Sequence, residues 1–406
     1  MAIQDKCGIC DSINLKKVLK TKQLPISTRY KKNPTEKEFL KHIELNSCLD
    51  CGVFQIGNPI DYKKLVPIYD WISYNEPEDH LDDACRIIKE SVSSIEDLCV
   101  GGLTYKDDST LNRLQNLGFK NIWRIDPLKD LEITNRMHNI ESIQEKIGAN
   151  KVNELIDRYG LADVLLVRHI FEHTHHTREF TDSLTRLVKS QGLVIFEVPD
   201  CEAAIKSLDY TTLWEEHRYY FTSETFSKSL EILGFEIIDF KCYEYPHENS
   251  LVAFTRASGV NKKLNLNTLS RNNHLKDVEI FVKEISSQQE ILKQKLKKFK
   301  QRKSNIAIFG GGHLSCMFMN IMDCTGYIRC VVDDDPLKQN LYMPGTEIKI
   351  LGSNSLNDQD IGLCLMAVSP SSEKAIIENN KEFTERGGIF TSIFPQNENN
   401  IFNIHI

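Results

Sequence analysis

Two pairs of cysteines near the start of the chain place the strongest constraint on its fold. Each pair has the spacing CxxC, and the four residues are Cys7, Cys10, Cys48 and Cys51. One such turn presents two thiolates to a metal ion, and two turns complete the tetrahedron that Zn²⁺ prefers. Gly8 and Gly52 suit these turns, since glycine tolerates backbone angles that other residues avoid. The pattern predicts a structural zinc site, and the alternative is four free cysteines in unrelated turns.

Length and charge narrow the class of protein. A chain of 406 residues with a net charge of −7 is expected to form two or three domains and to lack an extended nucleic-acid-binding surface. No stretch approaches the roughly 20 apolar residues that span a bilayer, which predicts no membrane partner. The first residues, MAIQDKCGIC, lack the basic and apolar segments of a signal peptide. We therefore expect reduced thiols and a cytoplasmic location.

Strands and helices alternate between residues 76 and 257. Short apolar strands end at Gly101, Asp126 and His169, and further strands follow before residue 257. Such alternation is typical of a mainly parallel sheet that is covered on both faces. The pattern predicts an α/β fold with a central Rossmann-type domain at residues 76–257, preceded by a zinc-binding module at residues 1–75.

A second, smaller α/β domain is predicted at the C-terminus. Residues 258–303 read as a polar linker followed by a long helix with apolar residues at helical spacing. A strand, the glycine run from Gly310 to Gly312 and another helix come next. A glycine turn of this kind can admit a phosphate beside a helix N-terminus. We therefore predict a Rossmann-like domain at residues 304–406.

Two glycines and a carboxylate indicate the type of ligand. Gly101 and Gly102 end the first strand of the central domain, and Asp126 ends the second. Ligands of open parallel sheets bind at the carboxyl ends of the strands, where a carboxylate can accept hydrogen bonds from ribose hydroxyls. These residues predict an adenosine-containing cofactor, but they do not distinguish a nicotinamide cofactor from S-adenosylmethionine.

Five segments read together give a family resemblance. In chain order they are LNSCLDCGVFQI, GLADVLLVRHIFEHTHHTREF, GLVIFEVPD, LWEEHRYYF and VVDDDPLKQNLYMPGTEIKI. With these segments the chain resembles the three-part sugar C-methyltransferases, which act on nucleotide-linked keto-deoxysugars. The resemblance covers nearly the whole chain. It implies a zinc-binding module, a central domain that binds S-adenosylmethionine, and a C-terminal Rossmann-like domain that helps to hold the nucleotide sugar.

The resemblance also implies a reaction. A base removes the acidic proton beside the sugar ketone, and the enolate carbon then attacks the methyl group of S-adenosylmethionine. Glu216 and His217 match the last two positions of the family's catalytic Tyr-His-Glu-His stretch. Histidine titrates in the range that such a base needs, and an adjacent carboxylate can orient it. The alternative is a buried structural pair.

Other side chains are implied for the substrate and the cofactor. The segment PHENSLV resembles a His-Gly-Gly-Ser-Leu stretch of the family, and its candidates for the sugar pocket are His247, Asn249 and Ser250. A phenol of the family corresponds to Tyr69 or Tyr74, of which Tyr69 is our candidate. Lys338 is expected to contact the nucleotide sugar, and His169 lies where methyltransferases contact the cofactor.

Two departures from the family bear on activity. The cofactor loop of the family reads roughly Glu-x-Gly-Ser-Asn-Asp-Gly, but here it reads CVGGLTYKDDS, which is longer and lacks the second glycine. Asp107 or Asp108 takes the aspartate position, and Asp108 is our candidate. Trp214 replaces the tyrosine of the catalytic stretch. The altered loop predicts that cofactor binding is reshaped or lost, and the tryptophan fits a different substrate as well as an inactive site.

Several alternatives remain open from the sequence. The histidines and the glutamate between His169 and His176 are not expected to bind a catalytic metal, because a second set of ligands is missing. An enzyme of the same class could methylate oxygen or nitrogen of a related sugar. A non-catalytic protein that binds nucleotide sugars would also fit the altered loop, and a nicotinamide-dependent oxidoreductase would fit the two glycine turns. The identity of the sugar and the oligomeric state are not specified by the sequence.

Overall fold

The computed structural model describes residues 6–72, 76–92, 94–135, 137, 139–258, 273–301, 304–358 and 360–404. The chain forms two compact units, each assembled from separate segments. The first unit contains residues 1–17, 45–202 and 216–272, and the second contains residues 18–44, 203–215 and 273–406. These units cut across the four-part division predicted along the chain, which stays a prediction. Most of the predicted polar linker lies outside the described residues.

The strands of the described chain have the following bounds. They are β1 (Leu15–Pro25), β2 (Leu40–Cys48), β3 (Phe54–Ile56), β4 (Cys99–Gly102), β5 (Asn121–Arg124), β6 (Ala162–Arg168), β7 (Val188–Asp200), β8 (Tyr219–Tyr220), β9 (Phe235–Tyr243), β10 (Asn249–Ala257), β11 (Asn305–Phe309), β12 (Ile328–Val332), β13 (Ile350–Leu351), β14 (Ile361–Met366) and β15 (Ile389–Ser392).

The α-helices lie between these strands. They are α1 (Tyr62–Leu65), α2 (Leu81–Glu90), α3 (Asp108–Asn116), α4 (Ile140–Lys146), α5 (Ala149–Tyr159), α6 (Thr177–Leu187), α7 (Glu202–Ser207), α8 (Ser223–Ile232), α9 (Asn273–Lys300), α10 (His313–Ile321), α11 (Ser355–Asp358), α12 (Pro370–Asn379) and α13 (Lys381–Glu385). Among the residues described, none of the helices combines the length and the apolar character needed to cross a membrane.

The first unit is organised around a six-stranded sheet in the order β5-β4-β6-β7-β10-β9. β4 runs parallel to both β5 and β6, and β6 runs parallel to β7. β10 runs antiparallel to both of its neighbours, β7 and β9. The predicted mainly parallel sheet of a Rossmann-type domain is therefore confirmed, with one reversed strand that the sequence pattern did not reveal.

Apolar side chains cover both faces of this sheet. Leu165 and Val167 of β6 belong to one buried cluster, and Val164 and Leu166 belong to another. Successive side chains of a strand point to opposite faces, so the two clusters lie on the two faces of the sheet. Burial on both faces explains why β6 reads as a continuous apolar run.

A second sheet has the order β1-β2-β3-β8. β3 follows directly on the second cysteine pair and lies antiparallel to β8, with Phe54 opposite Tyr220. The residues just before β8 are therefore held next to the strand that leaves the cysteine cluster.

The second unit is built on a five-stranded parallel sheet in the order β13-β12-β11-β14-β15. Its long helix α9 buries an apolar seam, and the fully or nearly fully buried residues of the seam are Val278, Phe281, Leu292, Leu296 and Phe299. The helix predicted from that spacing is confirmed, and so is the smaller α/β domain after it.

Candidate active site

The four cysteines of the CxxC pairs come together in the first unit. The Sγ atoms of Cys7 and Cys51 lie 3.5 Å apart, as do those of Cys10 and Cys48. All four Sγ atoms lie within 4.8 Å of one another. A tetrahedral Zn²⁺ with bonds of about 2.3 Å needs sulfur–sulfur distances of about 3.8 Å, so this cluster has the composition and the spacing of a structural zinc site.

The two glycines beside the cysteines are required for different reasons. Gly52 has a φ of +83°, the left-handed region that favours glycine. At Gly8 the requirement is space, because a Cβ atom there would lie 1.9 Å from the hydroxyl of Tyr219. The first glycine therefore lets the cysteine turn pack directly against β8.

The segment that carries Glu216 and His217 is held by backbone hydrogen bonds on both sides. The amide of Arg218 donates to the carbonyl of Glu172, and the amide of Ile56 donates to the carbonyl of Arg218, each at 2.8 Å. One bond ties the segment to the short 3₁₀ helix Phe171–His173 after β6, and the other ties it to β3. This arrangement brings His217 beside His173.

Five buried acid–base side chains form a cluster around these residues. They are Glu141, Glu172, His173, Glu216 and His217. The rings of His173 and His217 are nearly perpendicular, with centroids 4.8 Å apart. Nδ1 of His173 lies 2.6 Å from Oε1 of Glu141. We call these five residues the acid–base cluster; the sequence predicted only the last two as catalytic.

A second polar group lies around Glu197 of β7. Its carboxylate accepts a hydrogen bond from Oγ of Ser250 at 2.8 Å, and it lies 3.0 Å from Nε2 of His80 and 3.1 Å from Nε2 of His169. Its other oxygen pairs with the guanidinium of Arg168. Burial raises the pKa of Glu197, but Arg168 and His169 lower it more, and the net pKa lies well below the usual range. Glu197 is therefore a buried anion surrounded by cationic partners.

His169 is held in an unusual backbone conformation next to this anion. Its φ is +49°, and its amide donates to the carbonyl of Glu197 at 2.9 Å. Burial lowers the pKa of the imidazole, but Glu197 and Glu172 raise it more, to about 10. The predicted cofactor residue is thus a buried imidazolium at the carboxyl end of β6, and strained residues of this kind concentrate at functional sites.

We expect this imidazolium to make stability depend on pH. The folded pKa of about 10 exceeds the ordinary value of 6.5. The contribution of His169 to the free energy of unfolding is therefore fully present below pH 6.5, and it is lost as the pH rises through the folded pKa. Between about pH 6 and about pH 10, the free energy of unfolding of the wild type should fall by a few kcal/mol more than that of His169→Gln, because a shift of one pKa unit corresponds to about 1.4 kcal/mol. Urea unfolding at the two pH values measures both losses. Equal losses in the two proteins would contradict this.

The loop after β4 is organised by Asp107, which is fully buried. Its carboxylate accepts hydrogen bonds from the amides of Leu103 and Thr104, both at 2.8 Å, and from the amide of Arg168 at 3.2 Å. Asp108, the predicted cofactor residue, instead pairs with Arg124 at 2.7 Å and is half exposed. Asp107 thus shapes the loop, while contact of Asp108 with a cofactor stays a prediction.

The substitution Asp107→Ala is expected to disorder this loop, whereas Asp108→Ala is expected to leave it intact. The first change leaves three buried amides without an acceptor, at about 1–3 kcal/mol each. The second removes a partly exposed ion pair, which contributes about 0–1 kcal/mol. Chemical denaturation and calorimetric titration with S-adenosylmethionine measure both effects. Similar losses of stability and affinity in the two variants would show that Asp107 has no special role.

The two glycines of the cofactor motif are explained by packing. A Cβ atom at Gly101 would lie 2.3 Å from the indole of Trp123, and one at Gly102 would lie 2.9 Å from Cβ of Asp107. Their role in binding a cofactor stays a prediction. The partly exposed carboxylate of Asp126 follows the end of β5, accepts hydrogen bonds from two backbone amides at Oδ1 and lies 3.4 Å from Nζ of Lys129 at Oδ2; its contact with a cofactor also stays a prediction.

The predicted substrate residues of the first unit lie near the start of β10. Ser250 is engaged by Glu197, as described above. The side chain of Asn249 accepts from the amide of Tyr245 at 3.2 Å, and His247 is half buried. Tyr69 packs against Trp71 with ring centroids 4.9 Å apart. The other candidate phenol, Tyr74, lies outside the described residues.

In the second unit Asp333 holds the glycine turn after β11 by a hydrogen bond. The carboxylate of Asp333 accepts from the amide of Gly311 at 2.7 Å and pairs with Nζ of Lys338 at 3.0 Å. A Cβ atom at Gly312 would meet no atom within 4 Å, so the turn is open at its third glycine. Contact of Lys338 with a nucleotide sugar stays a prediction.

Trp214 and Glu215 also belong to the second unit. The indole of Trp214 stacks on His313 with centroids 4.5 Å apart, and its Nε1 donates to Oγ of Ser27 at 3.2 Å. The carboxylate of Glu215 accepts from the amide and the hydroxyl of the same serine. The residue that replaces the family's tyrosine therefore has structural partners of its own.

Sequence reasoning missed four residues at the site. Glu141 contacts His173 from a helix 32 residues away in the chain, and Glu197 and His80 have no motif of their own. Tyr105 lies in the longer loop; burial raises the pKa of its phenol, and the carboxylates of Glu76 and Glu216 raise it further. Only the extra length of that loop could have drawn attention to Tyr105.

Comparisons with known proteins agree with this architecture. Residues 105–239 match a family described as a methyltransferase domain, and residues 251–395 match the C-methyltransferase C-terminal domain. The C-methyltransferase NovU of Streptomyces niveus is 22% identical to this chain, over 97% of this chain and 96% of NovU.

Two solved methyltransferases are also similar in part. They are the 1,6-didemethyltoxoflavin N1-methyltransferase of Burkholderia thailandensis and the magnesium protoporphyrin IX methyltransferase of Synechocystis PCC 6803. Each covers 45% of this chain with a TM-score of 0.31, at 12% and 14% identity and over 79% and 83% of their own chains respectively. The two domain matches and the full-length relative support an enzyme of the S-adenosylmethionine-dependent C-methyltransferase type.

Proposed function

We propose that the chain transfers a methyl group from S-adenosylmethionine to the carbon beside the ketone of a nucleotide-linked deoxysugar. The acid–base cluster carries this proposal. It places His217 and Glu216, which correspond to the family's catalytic stretch, among buried histidines and carboxylates. Forming a carbanion equivalent beside a ketone requires a base of this kind, whereas methyl transfer to a nucleophilic amine does not.

His217 is the proposed base. The residue is buried, with 9% of its surface exposed, so bulk water is mostly excluded from it. Glu216 is 5% exposed and lies beside it in the chain. A carboxylate oxygen of Glu172 lies within 4.8 Å of a ring nitrogen of His217, and such a carboxylate would stabilise the imidazolium that forms when His217 takes a proton from carbon.

S-adenosylmethionine, when bound, supplies an electrophilic methyl group to the substrate carbon. The residues present fit such a cofactor, because the partly exposed carboxylate of Asp126 stands at the carboxyl end of β5 beside the loop after β4. Asp126 would accept hydrogen bonds from the ribose hydroxyls. His169 would lie on the cofactor side of the acid–base cluster, since Nδ1 of His169 is 3.7 Å from Oε1 of Glu172.

The substrate contacts are proposed from the resemblance. His247, Asn249 and Ser250 would line the sugar pocket, with Tyr69 as the phenol. Lys338 would hold the nucleotide in the second unit. Ser250 supports this arrangement best, because its hydroxyl already joins β10 to the buried Glu197.

The proposal is tested by incubating the zinc-loaded protein with S-adenosylmethionine and a thymidine-diphosphate-linked 4-keto-6-deoxysugar. The expected product carries a new methyl signal on carbon in its NMR spectrum, and His217→Asn should not form it. A methyl group on oxygen would overturn the proposed C-methylation in favour of O-methylation. Binding of S-adenosylmethionine without turnover of any keto-sugar nucleotide would overturn the proposed substrate class.

A further inference from the structure

Two members of the acid–base cluster have no role in the proposed reaction so far, Glu141 and His173. The imidazole is 4% exposed and the glutamate is fully buried. Their short contact, 2.6 Å between Nδ1 and Oε1, joins the first turn of α4 to the 3₁₀ helix that follows β6. Burying two titratable side chains to this degree costs desolvation free energy, so a role beyond packing is worth seeking.

We propose that Glu141 is a positioning residue that orients His173 as a second proton carrier behind His217. The inference rests on the proposed function, because it concerns the fate of the proton that His217 removes. It adds a residue outside the catalytic stretch and assigns His173 a defined tautomer.

The contact with Glu141 determines which nitrogen of His173 can act. A carboxylate accepts hydrogen bonds, so the proton of the neutral imidazole resides on Nδ1 and is donated to Oε1. Nε2 is then left as the basic nitrogen, and it lies 4.0 Å from Oε1 of Glu172. Without Glu141 the ring could adopt the other tautomer or rotate.

The positions of the two rings allow a proton to pass between them. Ligand atoms of Glu172, His173 and His217 lie within 4.8 Å of one another, which a single water molecule can bridge. In the transfer, the N–H bond formed on His217 breaks and an N–H bond forms at Nε2 of His173. The positive charge moves with the proton, which is later released to solvent, while His217 returns to its neutral form.

The electrostatics favour His173 as the acceptor. Burial lowers the pKa of His173, but the hydrogen bond and the charge of Glu141 raise it more, and Glu172 raises it further. The charges that shift this pKa are thus the carboxylates of Glu141 and Glu172 and, as an opposing influence, the imidazolium of His169. Glu216 and His217 also face the ring of His173. Burial raises the pKa of Glu141 as well, and the hydrogen bond with His173 opposes that rise.

A metal ion is the competing explanation of the same cluster. Glu172, His173 and His217 could hold an ion through Nε2 of His173, because Nδ1 is taken by Glu141. The other combination, Glu141 with His173 and Glu216, would require breaking the 2.6 Å contact. Only this second combination competes with the hydrogen bond, because an ion on Nε2 leaves the contact between Nδ1 and Glu141 intact.

The chain contains a matched control on the same helix. Glu145 of α4 lies one turn after Glu141 and faces His176, with Oε2 and Nε2 4.0 Å apart. The side chain of His176 is 55% exposed, so this second pair is solvated and lies outside the acid–base cluster. Glu145→Gln removes the same charge from the same helix without touching His173.

The first test needs no substrate, so it stands independently of the proposed function. The full-length, zinc-loaded protein labelled with ¹⁵N-histidine is titrated by NMR, and His173→Asn identifies the signals of His173. We expect the Nδ1–H tautomer in the wild type, and a fall of one pKa unit or more in Glu141→Gln, with no change in Glu145→Gln. An unchanged tautomer and pKa in Glu141→Gln would overturn the proposal.

One further variant and a measurement of bound metal ensure that the test gives a decisive result. If Glu141→Gln does not fold, Glu141→Asp serves instead, because it keeps the charge but moves it back by one methylene. The pKa of His173 in this variant should lie between its value in the wild type and the lower value expected without a charge at position 141. A bound metal that is lost in His173→Asn but not in Glu145→Gln would instead assign the cluster to a metal and overturn the positioning role.

Once a substrate is turned over, kinetics separate positioning from mere support. Glu141→Gln should lower kcat by about 10–100-fold, shift the acidic limb of the kcat–pH profile and leave KM nearly unchanged, and Glu141→Asp should restore part of the rate. A change in KM without a change in kcat, or an unshifted pH profile, would overturn the relay role.

Discussion

The substitution His217→Asn is expected to lower kcat by about 10²–10⁴-fold, the range that a positioned general base contributes. Asparagine preserves the approximate size and polarity of the side chain but cannot take a proton near neutral pH. Because the side chain lies in the acid–base cluster and not at the loop after β4, the affinity for S-adenosylmethionine should change little. Initial rates and calorimetric titration with the cofactor measure the two quantities.

His176→Asn is the matched control for this change. It also removes an imidazole, but one whose side chain is 55% exposed and lies outside the acid–base cluster. It should leave kcat within about twofold of the wild type, since exposed substitutions rarely alter a buried site. A His217→Asn enzyme with a rate close to that of this control would rule out His217 as the base.

The second large effect is expected at the cysteine cluster. Cys48→Ser should reduce the bound zinc from about one ion per chain to almost none, and it should destabilise the first unit strongly. Structural Zn²⁺ contributes roughly 10–16 kcal/mol in small zinc-binding peptides, which is comparable with the whole free energy of unfolding of a typical domain. Metal analysis and thermal unfolding of the purified protein measure the two effects.

An exposed cysteine provides the control for the metal site. Cys242 is exposed, unlike the other cysteines of the described chain, which are buried or half buried. Cys242→Ser should therefore retain its zinc and unfold at the temperature of the wild type. If Cys48→Ser retained both, the cluster would not be a structural metal site.

Local patterns predicted the parts of the fold whose signal lies within one segment. β9 begins and ends where the apolar alternation begins and ends, at Phe235 and Tyr243, and the seam of α9 is buried as its spacing required. The reversed direction of β10 could not be predicted in this way. It depends on pairing with β7, about 50 residues earlier, and no local pattern encodes such a partner.

The residues of the candidate site show the same difference between local and long-range signals. The cysteine pairs were predicted because they form a short motif with a definite chemistry, and the Glu216–His217 pair was predicted from its match to the family's catalytic stretch. Glu141 could not be found, since only the folded chain brings α4 to His173. Asp107 and Asp108 are neighbours in sequence with opposite environments, one fully buried and one half exposed, and composition alone does not separate them.

The proximity of the cysteines to the histidine segment exposes methyl transfer to oxidation. Cys51 is followed within a few residues by β3, and the amide of Ile56 holds the backbone of Arg218 next to His217. An oxidant that joined the sulfurs of Cys7 and Cys51, which lie 3.5 Å apart, would distort the turn that leads into β3. The enzyme would then lose activity through its thiols while every catalytic side chain remained chemically intact, and a reducing agent would restore it.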